Sequence, residues 1–82
     1  MKQVEWTATG LKGLEKLDKD SARRIKQAVE RFAQTTVGDV KKLQGINPAE
    51  YRLRVGDYRI RFDQDEEKIR VLRVRNRREA YR

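Results

Sequence analysis

Tyr51-Arg-Leu-Arg-Val-Gly-Asp-Tyr-Arg-Ile-Arg-Phe62 is the stretch that decides the fold of this chain. Tyr51, Leu53 and Val55 alternate with Arg52 and Arg54, and Tyr58, Ile60 and Phe62 alternate with Arg59 and Arg61. That period of two belongs to half-buried strands. The Gly56-Asp57 pair between them suits a two-residue hairpin turn, which sets Val55 opposite Tyr58, Arg54 opposite Arg59 and Arg52 opposite Arg61. Four guanidinium groups then share one face. Like charges directly opposite one another destabilise a ladder, so the economical explanation is a polyanion bound there. A solvated basic face is the plainer alternative, since 21 of the 82 residues are Lys or Arg. Chance clustering does not account for two adjacent like-charge pairs.

Upstream of the hairpin, periodicity stops from Thr35 to Glu50, where Gly38, Gly45, Asn47 and Pro48 indicate a long connection with at most a helical turn. Val40 and Leu43 are expected to pin it to the core. Lys41 and Lys42 are candidate phosphate contacts, with a solvated lysine pair as the alternative. Downstream, Asp63-Gln-Asp-Glu-Glu67 makes an acidic turn into a last strand from Lys68 to about Val74, completing an antiparallel meander. Pairing Ile69 with Phe62 and Val71 with Ile60 keeps both pairs in the core. The same register turns Leu72 and Val74 to the arginine face and Arg73 to the core, a conflict that a bulge or a covered second face would relieve.

The closing segment, Arg75-Asn-Arg-Arg-Glu-Ala-Tyr-Arg82, is expected to be helical or irregular. Arg75 and Arg78 join Arg61, Lys41 and Lys42 as candidate phosphate-binding residues. Tyr81 either stacks a base, as aromatics do in single-strand binding, or anchors its ring on the sheet.

The amino-terminal half supplies the covering layer. Val4 and Trp6 alternate with Gln3, Glu5 and Thr7 in a first strand. Leu11, Leu14 and Leu17 are expected to line one face of a short helix beginning near Thr9, weakened by Gly10 and Gly13 by about 1 kcal/mol each. Asp18-Lys-Asp-Ser is a stop and restart, with Asp20 or Ser21 expected to cap a second helix. Ile25, Ala28, Val29, Phe32 and Ala33 form its apolar stripe, which suits packing on the chain's own sheet. The fold class is therefore α+β: one domain over residues 1–82, with a strand, a two-helix hairpin and a three-stranded meander.

Composition narrows the function. A net charge of +8 and a pI near 10.2 call for an acidic partner, nucleic acid or protein. Residues 51–82 carry 11 basic and 6 acidic side chains, residues 1–50 carry 10 and 7, so the positive field concentrates in the carboxy-terminal part. No apolar run approaches membrane-spanning length and the start lacks the pattern of a signal peptide, so a cytoplasmic protein is expected. With no cysteine, disulfides, thiolate chemistry and cysteine zinc sites are excluded. The absence of histidine excludes imidazole acid–base catalysis. Metal-ligand spacings, phosphate-binding glycine loops and nucleophile elbows are also missing from the sequence.

Lys41-Lys-Leu-Gln-Gly45, Tyr51 to Ile60, Val71-Leu-Arg-Val74 and Arg77-Arg-Glu-Ala-Tyr-Arg82 together resemble the RelE/ParE superfamily of bacterial and archaeal toxins, and more closely its RelE mRNA interferase branch. The resemblance covers almost the whole chain. It implies a toxin of a type II toxin–antitoxin system that cleaves messenger RNA in the ribosomal A site. It also implies neutralisation by a co-expressed, RelB-like antitoxin through an acidic or amphipathic segment. By the same resemblance Arg52, Arg54, Arg59, Arg77 and Tyr81 are the catalytic set, acting without metal or cofactor through attack of the substrate's own 2′-hydroxyl. Two alternatives stay open: a ParE-like inhibitor of DNA gyrase, and a catalytically silent basic RNA-binding module.

Arginine stays protonated far above neutral pH, so it clamps phosphate well and is a poor general base. Tyr81 is the candidate base if the surrounding cations lower its pKa. The sequence departs from the family where relatives carry second-strand lysines, replaced here by Arg52 and Arg54, and where many carry a glycine with histidine or lysine, replaced by Arg75-Asn76.

Overall fold

A computed structural model of the chain describes residues 1–76, so Arg77, Arg78 and Tyr81 lie outside the described residues. The elements run β1 (Gln3–Trp6), α1 (Ala8–Glu15), α2 (Lys19–Thr35), β2 (Asp39–Lys42), β3 (Tyr51–Val55), β4 (Tyr58–Gln64) and β5 (Lys68–Asn76). They build one five-stranded sheet in the order β1-β5-β4-β3-β2, with β1 parallel to β5 and the other neighbours antiparallel. The α+β class and the order of strand, helix pair and meander are as the sequence indicated. An added edge strand, β2, lies within the stretch expected to be a connection. Four residues are too few to show periodicity, and β2 is held by backbone pairing to β3, with Val40 opposite Leu53.

The two helices carry the chain from one sheet edge to the other and cover a single face. Ile25, Val29 and Ala33 of α2 and Leu14 of α1 are buried against Leu53, Ile60, Phe62, Ile69, Val71 and Val74. Full burial of side chains such as Ile25, Ile60 and Phe62 stabilises by roughly 1.5–3 kcal/mol each. Phe62 stacks on Tyr51 with ring centroids 5.4 Å apart and meets Phe32 at 5.5 Å.

Helix α1 owes its position to two features. Thr7 caps it, its hydroxyl accepting from the Gly10 N–H at 3.1 Å and donating to the Val71 carbonyl at 2.7 Å. Gly10 and Gly13 then let the helix lie almost on the backbone of β5: a Cβ at Gly10 would sit 2.5 Å from the Val71 oxygen, and one at Gly13 2.9 Å from that of Val74. Leu11, expected in the core, is 42% exposed. Spacing of three lags a 3.6-residue turn by about 60° per step, so Leu11, Leu14 and Leu17 cannot share a narrow stripe. The cap of α2 is Asp18, not Asp20 or Ser21; its carboxylate accepts from the Ser21 N–H at 3.1 Å.

The hairpin has the expected register throughout. Gly56, at φ +58°, supplies the positive φ that the tight turn needs at its first central position. Between β4 and β5 the expected pairing of Ile69 with Phe62 and Val71 with Ile60 is replaced by Phe62 with Val71 and Ile60 with Val74. The register shifts at Arg61/Phe62, leaving Leu72 as the extra residue of a bulge. One inserted residue restores the alternation: Val74 returns to the core and Arg73 turns to the opposite face.

Candidate nucleic-acid interface

All of the buried residues of β3, β4 and β5 point toward the helices, so the alternate positions form the other face of the sheet. Pairing aligns them in rows. Lys41, Arg52, Arg61 and Arg73 stand opposite one another across β2, β3, β4 and β5. Asp39, Arg54, Arg59 and Arg75 form the row beside it. Seven of these eight side chains are basic. A third row breaks the pattern, because Asp63 lies opposite Arg70, itself beside Glu5, and an Asp63 carboxylate oxygen is 3.2 Å from Arg70 Nε. The positive track thus ends where carboxylates begin.

Within the basic rows a cavity of about 250 Å³ is lined by Arg52, Arg59, Arg61, Arg75 and Leu43. Arg52 and Arg61 each bury an Nε that no hydrogen bond satisfies, and Arg61 Nε has the Glu50 carboxylate 3.5 Å away. Fixed, forked donors around a small concavity suit a tetrahedral oxyanion, for which arginine offers bidentate geometry and a charge that does not titrate.

The expected site residues separate into groups. Arg52, Arg59, Arg61 and Arg75 come together around the cavity. Arg54 is exposed opposite Asp39 and does not line the cavity, and Lys41 continues the row of Arg52 and Arg61. Lys42, opposite Tyr51, falls by strand alternation on the helix side of the sheet. Leu43, expected in the core, is the apolar wall of the cavity instead, because it shares the parity of Lys41. Arg73 and Glu50 were missed. Only the bulge brings Arg73 to this face, and the pairing of Glu50 with Arg61 depends on where β3 begins.

No group of three or more His, Cys, Asp or Glu side chains among the described residues is placed to hold a metal ion. No helix among them is long and apolar enough to cross a membrane.

Residues 4–81 match the family model described as ParE toxin of type II toxin-antitoxin system, parDE. The match spans almost the whole chain, and the chain belongs to this family. Its structural relatives lie on the RelE side of the same superfamily. The chain is similar to the toxin of the RelB-RelE antitoxin-toxin complex from Methanococcus jannaschii, with 28% identity, a TM-score of 0.76 and 94% of each chain covered. It is equally similar to the archaeal RelE-RelB complex from Pyrococcus horikoshii OT3, with 28% identity, a TM-score of 0.77 and coverage of 93% and 94%. The RelBE2 toxin-antitoxin complex from Mycobacterium tuberculosis follows at 29% identity and a TM-score of 0.63, covering 92% of this chain and 96% of that one. No curated protein sequence matches the chain. The protein is thus a toxin of a type II toxin–antitoxin system, with a RelE-like fold.

Proposed function

We propose that this toxin is a ribosome-dependent endoribonuclease that cuts messenger RNA in the A site. The observation that carries the reading is the cavity walled by Arg52, Arg59, Arg61 and Arg75 on the face of the sheet opposite α1 and α2. A phosphodiester seated there would meet guanidinium donors from three strands. In the reaction the 2′-oxygen forms a bond to phosphorus, the bond from phosphorus to the 5′-oxygen breaks, and the 2′-hydroxyl proton leaves to a base while the 5′-oxygen gains one. The products are a 2′,3′-cyclic phosphate and a 5′-hydroxyl.

The arginines would stabilise charge on the phosphoryl oxygens, and the ribosome would hold the RNA in line, so orientation supplies much of the rate. Arg77 and Tyr81 complete the proposed catalytic set, Tyr81 as the base. Lys41 and Arg78 would hold neighbouring phosphates, whereas Lys42, on the helix side of the sheet, would not reach them. We further propose a cognate antitoxin as partner and the cytoplasm as the compartment. The relatives from Methanococcus jannaschii and Pyrococcus horikoshii are complexes of toxin and antitoxin, and a basic face of this kind is matched by an acidic or amphipathic segment.

One observation favours a second reading. The matching family model is named for ParE, so inhibition of DNA gyrase without cleavage is the competing activity. Cleavage of a defined messenger RNA by purified toxin, with and without programmed ribosomes, decides between them, with Tyr81→Phe as the variant that addresses the base. Ribosome-dependent cuts ending in cyclic phosphate support the nuclease. Intact messenger RNA together with inhibited gyrase supports the alternative.

A further inference from the structure

A carboxylate is out of place on a phosphate-binding face, yet Glu50 is held on this one. Its side chain is 25% exposed, with Oε1 3.5 Å from Arg61 Nε, and its backbone carbonyl accepts from the Leu43 N–H at 2.9 Å. Beside it opens a second concavity of about 380 Å³, lined by Thr7, Thr9, Glu50, Arg61, Leu72 and Arg73. Arg61 lines both this concavity and the four-arginine cavity, so the two adjoin. The Thr7 hydroxyl is already spent on the Val71 carbonyl and the Gly10 N–H. That leaves one carboxylate, two guanidinium groups, the exposed Thr9 and the half-buried Leu72 at the bulge.

This combination is wrong for a second phosphate, which Glu50 would repel. It is right for a flat, neutral group that carries N–H donors on one edge and acceptors on the next. Among nucleobases, guanine alone presents two parallel donors, N1–H and the N2 amino group, to a single carboxylate, with O6 and N7 as acceptors for arginine. Unpaired RNA exposes those edges and lets the ring lie against an apolar side chain.

We propose that Glu50, with Arg61 and Arg73, forms a guanine-binding subsite next to the phosphate cavity, making Glu50 a specificity-determining residue of the toxin. The proposal rests on the reading of the arginine face as an RNA site and adds the identity of the neighbouring base. A purely structural Glu50, acting only as counter-charge to Arg61, would give no base preference.

The test uses purified toxin and fluorescent pentaribonucleotides, 2′-O-methylated to prevent cleavage, of sequence UUGUU, UUAUU and UUIUU, where inosine lacks only the N2 amino group. The guanosine oligomer should bind about tenfold more tightly than the other two, the discrimination expected of one bidentate contact. Glu50→Gln should erase the guanosine-over-inosine preference, because a neutral amide offers one acceptor where the carboxylate offers two. Equal affinity of the wild type for guanosine and inosine, a preference that survives Glu50→Gln, or no binding of any oligomer would overturn the proposal; the wild-type comparison holds even if the variant folds poorly. The readout is independent of cleavage. Toxin that discriminates guanosine but never cuts would sink the nuclease reading alone, and toxin that cuts without discrimination would sink the subsite alone.

Discussion

Arg52 and Arg61 stand directly opposite each other on β3 and β4, and each buries its Nε without a hydrogen bond. A like-charge pair of this kind costs stability, and Arg54 opposite Arg59 repeats it one step along the hairpin. The fold therefore holds these cations in place at some expense to itself, as expected of groups positioned for an anion.

Salt should accordingly stabilise the free toxin. Each cross-strand like-charge pair costs about 0.2–1 kcal/mol, and raising sodium chloride from roughly 0.05 M to 0.5 M shortens the screening length severalfold. The urea midpoint should rise with salt, and Arg61→Gln should reduce that rise. A midpoint that falls with salt would mean that attractive pairs such as Lys68 with Glu5 dominate instead.

Gly10→Ala should destabilise the protein although alanine is the better helix former. Propensity alone predicts a gain of about 1 kcal/mol. The new Cβ would meet the Val71 carbonyl oxygen at 2.5 Å, and backbone on both sides leaves little room to yield. A net loss of about 1–3 kcal/mol in urea unfolding is expected, as for other overpacked sites. Unchanged or raised stability would show that α1 slides away from β5 at little cost.

Hairpin register, sheet parity and the arginine face were legible in the sequence because Gly56-Asp57 fixes a two-residue turn and both flanking strands alternate without interruption. The bulge at Leu72 was visible only as a conflict between Ile69, Val71 and Val74. No local signal says where an extra residue is inserted, and that insertion places Arg73 in the site. β2 escaped because its four residues are paired through backbone, with Val40 as the sole inward anchor. Gly10 and Gly13 looked like weaknesses of α1 for a similar reason: their purpose lies in β5, more than 55 residues away.

Acid should weaken two turns. Asp18 has its carboxyl held below the usual range by the Ser21 hydroxyl and then by the Ser21 N–H, and Asp65 by the N–H groups of Glu67 and then Lys68. Their folded pKa values lie below the unfolded ones, so the folded state binds fewer protons. The stabilisation is complete above the unfolded value near pH 4 and disappears as pH falls through the folded value. The gap in urea midpoint between wild type and Asp65→Ala should be open at about pH 6 and close toward about pH 2. A gap that persists in acid would mean that the Asp65 carboxylate charge contributes nothing to the turn.

The most direct test of the central claim, that the arginine face opposite the two helices holds the scissile phosphate, is a comparison of single-turnover cleavage on programmed ribosomes by four proteins. These are wild type, Arg52→Ala, Arg59→Ala and the control Arg23→Ala, whose side chain sits on the opposite layer beside Asp20. Loss of one charge-stabilising donor costs about 100-fold or more. Rates reduced by that factor in Arg52→Ala and Arg59→Ala, with Arg23→Ala unchanged, are predicted. Equal rates in all four, or a loss in Arg23→Ala as large as in the others, would contradict the claim.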